Sequence, residues 1–168
     1  MDLFDAILTR TSAGRLAEPG PDPAQLARIL DAAAHAPDHG RLRPWRIVAL
    51  DPPARERFAD AVVAARAARA PAPTEEQLGI ERNKVMRSPT LVVIGCVIRR
   101  DLPKVPEIEQ VLAAGAVAEN LFLAAHALGF GVMWKTGPAA YDAGVKAAVG
   151  LGEHDHIIGI MHLGTRVG

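Results

Sequence analysis

Two stretches of this chain gather groups that can hold a charged or aromatic ligand. One is His35-Ala36-Pro37-Asp38-His39-Gly40-Arg41-Leu42-Arg43-Pro44-Trp45, with two histidines, two arginines and one of the chain's two tryptophans. A plain connection would be short and rich in Gly, Asn or Ser. The other is Arg10-Thr11-Ser12-Ala13-Gly14-Arg15, two arginines flanking two hydroxyls beside a glycine. Guanidinium groups give bidentate, charge-assisted bonds to phosphate, and hydroxyls fill the remaining oxygens. Lys135-Thr136-Gly137 and Arg166 add further cations and a hydroxyl from distant positions.

Other chemistries fit poorly. His35 and His39 lie four apart, but Pro37 breaks the helix that would align them, so no metal site is expected. Ser12 and Ser88 are the only serines, and neither sits in a Gly-x-Ser-x-Gly elbow. Cys96, the single cysteine, lies in an apolar run and reads as a buried thiol, which excludes a disulfide framework. No Gly-x-Gly-x-x-Gly follows a strand and no Walker loop is present. The formal net charge is zero at pH 7, which argues against a nucleic-acid binder. No segment reads as a membrane span, and the acidic start Met1-Asp2-Leu3-Phe4-Asp5 does not read as a signal peptide. A cytoplasmic protein is expected, with 1–168 as one domain.

The elements that must position these groups follow from caps and periodicity. Asp2 caps a first helix ending near Arg10. Asp22, Pro23 and Gln25 open a second, with Leu26, Ile29, Leu30 and Ala33 as its stripe. Trp45–Leu50 reads as a strand, and Asp51-Pro52-Pro53 opens a third helix through Arg66. Thr74 and Gln77 make a capping box for a helical piece toward Val85. The segment Arg66–Arg87 has the weakest apolar pattern; it reads as a solvated helical excursion, or in an enzyme as a lid. Thr90–Ile98 is a near-continuous apolar run, as in a strand buried on both faces. A long helix from about Pro106 to Leu128 carries the polar pair Glu119-Asn120, read either as an exposed patch or as a ligand contact. A short strand at Val132–Trp134, a helix over Tyr141–Val149 and a strand at His156–Leu163 complete the order. Few strands, many helices and no regular alternation point to an α+β fold.

A flavin mononucleotide (FMN) needs such a lining. Its phosphate takes arginine and hydroxyl partners, its ring takes flat apolar packing, and cations or N–H donors stabilise its reduced form. The motif order resembles the nitroreductase family, in particular its small members. The resemblance is carried by Arg10-Thr11-Ser12-Ala13-Gly14-Arg15-Leu16, Ala36-Pro37-Asp38-His39 leading to Pro44-Trp45, Asn120-Leu121 through Leu128-Gly129-Phe130-Gly131, Trp134-Lys135-Thr136-Gly137 and Leu163-Gly164.

That resemblance implies a central, mostly antiparallel sheet flanked by helices, and an interlocked homodimer with FMN at its interface. It implies ping-pong chemistry in which NADH or NADPH reduces the flavin, and a nitroaromatic, quinone-like or related small acceptor reoxidises it. Arg10, Thr11 and Ser12 would hold the phosphate and ribityl chain, with Arg166 as a further phosphate contact. His35 and His39 would reach the same FMN from the other subunit. Trp134, Lys135 and Thr136 would line the flavin. No catalytic side chain is implied. Thr11 stands where the family commonly has an arginine, and Lys135 where small members often have one, which weakens the expected hold on FMN. The alternative is a flavin-storage protein of the same fold with little turnover.

Overall fold

Residues 90 to 96 show how the chain builds its centre. In the computed structural model, which describes residues 1–168, Thr90–Cys96 is a strand whose neighbours point to opposite faces. Val92 and Ile94 enter one apolar cluster, Leu91 and Val93 the other. The unbroken apolar run is therefore the signature of a strand with helices on both sides, as expected. Six helices and five antiparallel strands make an α+β architecture.

The strands are β1 (Leu16–Ala17), β2 (Trp45–Ala49), β3 (Thr90–Cys96), β4 (Gly131–Lys135) and β5 (His156–Arg166). β3 lies between β2 and β5, and β5 pairs with β3, β4 and β1. The sheet therefore converges on β5. The helices are α1 (Leu3–Thr9), α2 (Pro23–Ala34), α3 (Pro52–Ala67), α4 (Glu75–Met86), α5 (Glu107–Ala127) and α6 (Ala143–Ala148). The caps act as expected: the Asp22 and Thr74 side chains accept from the Gln25 and Gln77 backbone N–H groups, and both glutamines reach back.

Each face of the sheet has its own core. On one, Ile29 and Ala33 of α2 and Val117, Ala118, Leu121, Phe122 and Ala125 of α5 meet Val132, Met161 and Leu163. On the other, Phe58, Ala59, Val62 and Ala65 of α3, Val85 of α4 and Val145 of α6 meet Ile157 and Ile160. Cys96 is fully buried, and burial pushes its thiol up to about 12, consistent with an inert core residue.

Three expectations need correction. α5 is long and apolar enough to cross a membrane by length and composition, against the reading that no segment is. Its burial of Ala114, Val117, Ala118, Leu121 and Ala125 against the sheet makes it the core helix instead. The expected helix over 141–149 is a 3₁₀ turn at Pro138–Tyr141 followed by α6, because Asp142 adopts extended backbone and caps a new helix. The final strand runs three residues past Leu163 to Arg166, since Thr165 and Arg166 pair with Ala17 and Leu16 of the unexpected β1.

Candidate functional site

The N-terminal loop is built where α1 ends and the chain turns toward β1. The Ala13 N–H donates to the Val132 carbonyl at 2.9 Å, which fastens the loop to β4. Gly131 permits this closeness, because a Cβ there would stand 2.8 Å from Leu16 and 2.9 Å from Ala13. Arg10 lies 4.6 Å over the Phe122 ring, with its Nε 3.8 Å from Glu119. Glu119, half-exposed, faces Arg10. Arg166 donates to the Thr11 carbonyl at 2.7 Å, so the two ends of the described chain meet here. Thr11 and Ser12 are exposed. His126 lies beneath, its Nε2 3.0 Å from the Thr9 hydroxyl; burial and the charges of Arg166 and Arg10 lower its pKa.

A cavity of about 560 Å³ opens on the α3/α4 face of the sheet. Its floor is apolar, with Phe58, Val62, Val85 and Ile160. Its polar wall is strongly cationic, with Arg66, Arg69, Lys84, Arg87 and Lys135 against Glu81 alone. Glu81 already accepts from Lys84 at 2.8 Å. Arg55 fixes the α4 wall: its guanidinium donates to the Val85 and Pro89 carbonyls from a nearly buried position. Arg69 donates to the Pro138 carbonyl at 2.7 Å, tying the end of α3 to the turn after β4. The 66–87 segment is therefore one wall of the cavity, joined to both α3 and that turn.

Arg87 links the two places. It lines this cavity and also a smaller one formed by Ala13, Gly14, Arg15, Leu16 and Val167. Hydroxyl- and arginine-bearing loop, Arg87 and cationic cavity thus follow one another along the edge of the sheet. Sequence reasoning missed Arg66, Arg69, Lys84, Arg87 and His162. His162 carried a visible signal, a histidine inside the apolar run Ile157–Leu163. The arginines carried none, because nothing in their spacing points them inward.

The predicted residues divide. Lys135 and Thr136 line the cavity. Trp134 does not: it is paired with Met161, on the opposite face, and its indole N–H donates to the Ile158 carbonyl at 2.9 Å. Ile158 is the extra residue where the β3–β5 register shifts, so Trp134 satisfies a carbonyl freed by a bulge. Gly159 leaves the ring room, since a Cβ there would sit 2.7 Å from Nε1. His35 is held by the Asp31 carbonyl at 2.8 Å, and His39 Nδ1 lies 2.5 Å from Glu109 at the start of α5. Glu119, beside Arg10, is ten residues further along that helix, or about 15 Å at the usual rise. One chain therefore does not bring His39 to Arg10. No cluster of three or more His, Cys, Asp or Glu residues is placed to hold a metal.

Fold and site together describe an α+β protein with a basic, apolar-floored ligand cavity at a sheet edge. The Nitroreductase family model matches residues 9–165, and the chain belongs to the nitroreductase family. YdjA of Escherichia coli K12, provisionally named an NAD(P)H nitroreductase, is 35% identical over 165 residues, covering 98% of this chain and 88% of YdjA. A nitroreductase-like family protein from Bacillus cereus superposes with a TM-score of 0.84 at 23% identity, over 100% of this chain and 87% of that one. A Bacteroides fragilis nitroreductase with bound FMN superposes at 0.75 and 23% identity, over 99% and 89%.

Proposed function

We propose that this protein is an FMN-dependent oxidoreductase, using NADH or NADPH to reduce nitroaromatic, quinone-like or related small electrophiles by a ping-pong mechanism. The observation that carries this reading is the continuity of the Arg10–Arg15 loop with the cationic cavity through Arg87. A dinucleotide donor and FMN-bound architecture are named for its relatives, YdjA and the Bacteroides fragilis protein.

The residues fit the cofactor chemically. Arg10, Thr11 and Ser12 follow one another in the loop that Arg166 joins through the Thr11 carbonyl, and their guanidinium and hydroxyl groups are of the kinds that suit a phosphate and ribityl chain. The Phe58, Val62, Val85 and Ile160 floor suits the apolar body of a planar ring system. Bound flavin supplies hydride transfer. The chain's own part is to place cations where negative charge collects: Lys135, Lys84 and Arg87 stand around a cavity with no free carboxylate. No side chain is assigned a proton-transfer role.

The working unit is a homodimer in this reading. Leu3, Phe4, Ile7 and Leu8 of α1 and Ile108 and Leu112 of α5 are large, apolar and 49–80% exposed. A second copy would cover them. It would also bring its His35 and His39 to the site, where one chain leaves His39 about 15 Å away along α5. Residues 1–168 then act as one FMN-binding domain, in the cytoplasm where the reduced nucleotides are available.

The absorption spectrum of the purified protein, followed by anaerobic NADH and NADPH, tests this. A flavin spectrum that bleaches with either nucleotide is expected, and the faster nucleotide is the donor. A flavin spectrum that persists would replace the reductase with a storage protein. No flavin uptake from added FMN would overturn the reading.

A further inference from the structure

His162 is the one polar side chain of the cavity wall that is almost fully buried, at 3% exposure. Its Nδ1 lies 2.8 Å from Ser88 Oγ, and the Ser88 hydroxyl lies 3.0 Å from the Thr90 carbonyl. A carbonyl only accepts, and a hydroxyl has one proton to give. Ser88 therefore donates to Thr90 and accepts from Nδ1–H of His162. This fixes the ring tautomer: the proton sits on Nδ1, and Nε2 carries a lone pair. Nε2 makes no hydrogen bond within the protein and is open to the cavity. Burial and the nearby charges of Arg87, Arg55 and Lys135 keep the ring neutral, with its pKa lowered to about 3.

Its neighbours in the cavity are of the other kind. Arg66, Arg69, Lys84, Arg87 and Lys135 are all donors, and the Glu81 carboxylate is engaged by Lys84. His162 Nε2 is thus a fixed, uncommitted acceptor among cations. A purely anionic group such as a carboxylate or phosphate would meet a lone pair there. A group with carbonyl oxygens next to an N–H matches: the oxygens face cations and the N–H meets Nε2.

We propose that His162, oriented by Ser88, determines ligand choice in this cavity by accepting a hydrogen bond from an imide or carboxamide N–H. The inference rests on the flavin and nicotinamide reading above, because both groups carry this pattern: the flavin an imide, the nicotinamide a carboxamide. His162 is a specificity-determining residue and Ser88 a positioning residue.

The test compares ligands with and without the N–H, on purified dimer stripped of flavin. FMN is titrated against N3-methyl-FMN. NAD⁺ is titrated against its deamido analogue, which has a carboxylate in place of the amide, on protein reloaded with FMN. Wild type is expected to favour the N–H ligand of one pair by about tenfold, the equivalent of one hydrogen bond. In His162→Leu that preference falls toward unity. His162→Gln, whose side-chain carbonyl can accept, recovers part of it. Ser88→Ala keeps the ring but frees its tautomer, so an intermediate preference and a mixed-tautomer ¹⁵N signature for His162 are expected. The pair that responds names the source, flavin or nicotinamide. Unchanged preferences for both pairs in His162→Leu and Ser88→Ala, with FMN still bound, overturn the role of His162 alone. A wild-type protein that takes up no FMN overturns the underlying functional reading with it.

Discussion

The two faces of the sheet are made from the same strands and do different work. Along β5, Met161 and Leu163 point to the α2/α5 side, where they join a buried apolar cluster. Ile160 and His162 point to the α3/α4 side, where the packing stops short and leaves the cavity. One face excludes ligands by being full. The other leaves a cavity whose five cations face a single carboxylate, Glu81. Alternation along a single strand thus separates stability from binding, with Trp134 on the first side and Lys135, its neighbour in sequence, on the second.

Substitutions can break that division. Leu121, fully buried on the filled face, should be the most costly to truncate: Leu121→Ala is expected to lower unfolding free energy by about 2–5 kcal/mol. Urea denaturation measures this, and FMN uptake by the folded fraction should stay normal. Arg10→Ala should do the reverse, weakening FMN binding by about 1.5–3 kcal/mol in a fluorescence titration. Its stability effect should be small, because its ion pair with Glu119 is 3.8 Å long and partly exposed.

Trp134→Phe sharpens the comparison between neighbours. It strands the Ile158 carbonyl at the bulge, so a loss of about 1–3 kcal/mol in stability is expected, with FMN affinity unchanged. A drop in FMN affinity without a drop in stability would return Trp134 to the binding side.

The last effect is spread over pH. The folded pKa of His162 is depressed to about 3 from an ordinary 6.5, so the unfolded chain binds the extra proton more readily. This contribution is intact above pH 6.5 and is lost as pH falls through the window down to about 3. Its slope is at most about 1.4 kcal/mol per pH unit. Urea midpoints of wild type and His162→Leu, compared across that window, isolate it. Parallel pH profiles for the two proteins would refute it.

Much of this was legible in the sequence, for local reasons. Caps at Asp22 and Thr74, the stop after Leu128 and the run from Thr90 are decided by residues close together in the chain. What was illegible depends on register. β1 is two residues long and has no period to detect; it exists because β5 continues past Leu163. Trp134 next to Lys135 looked like one lining, yet only the pairing of β4 with β5 shows that they face apart. Arg87 precedes Ser88-Pro89 as an ordinary helix-end cation, and its place between two cavities follows from packing against residues distant in sequence, Lys135 and Ile160 in one and Ala13 and Leu16 in the other. His39 and Arg10 share a motif pattern but lie at opposite stretches of α5.

The convergence of the sheet on β5 has a consequence for synthesis. β3, with six of its seven residues buried in the finished fold, leaves the ribosome well before its principal partner exists. Fifty-nine residues separate the end of β3 from the start of β5, and throughout that interval its edge is open to other chains. Folding of the sheet must therefore wait for residues 156 to 166. Mutations or rare codons that slow elongation between 97 and 155 should reduce soluble yield even where they leave the native structure untouched.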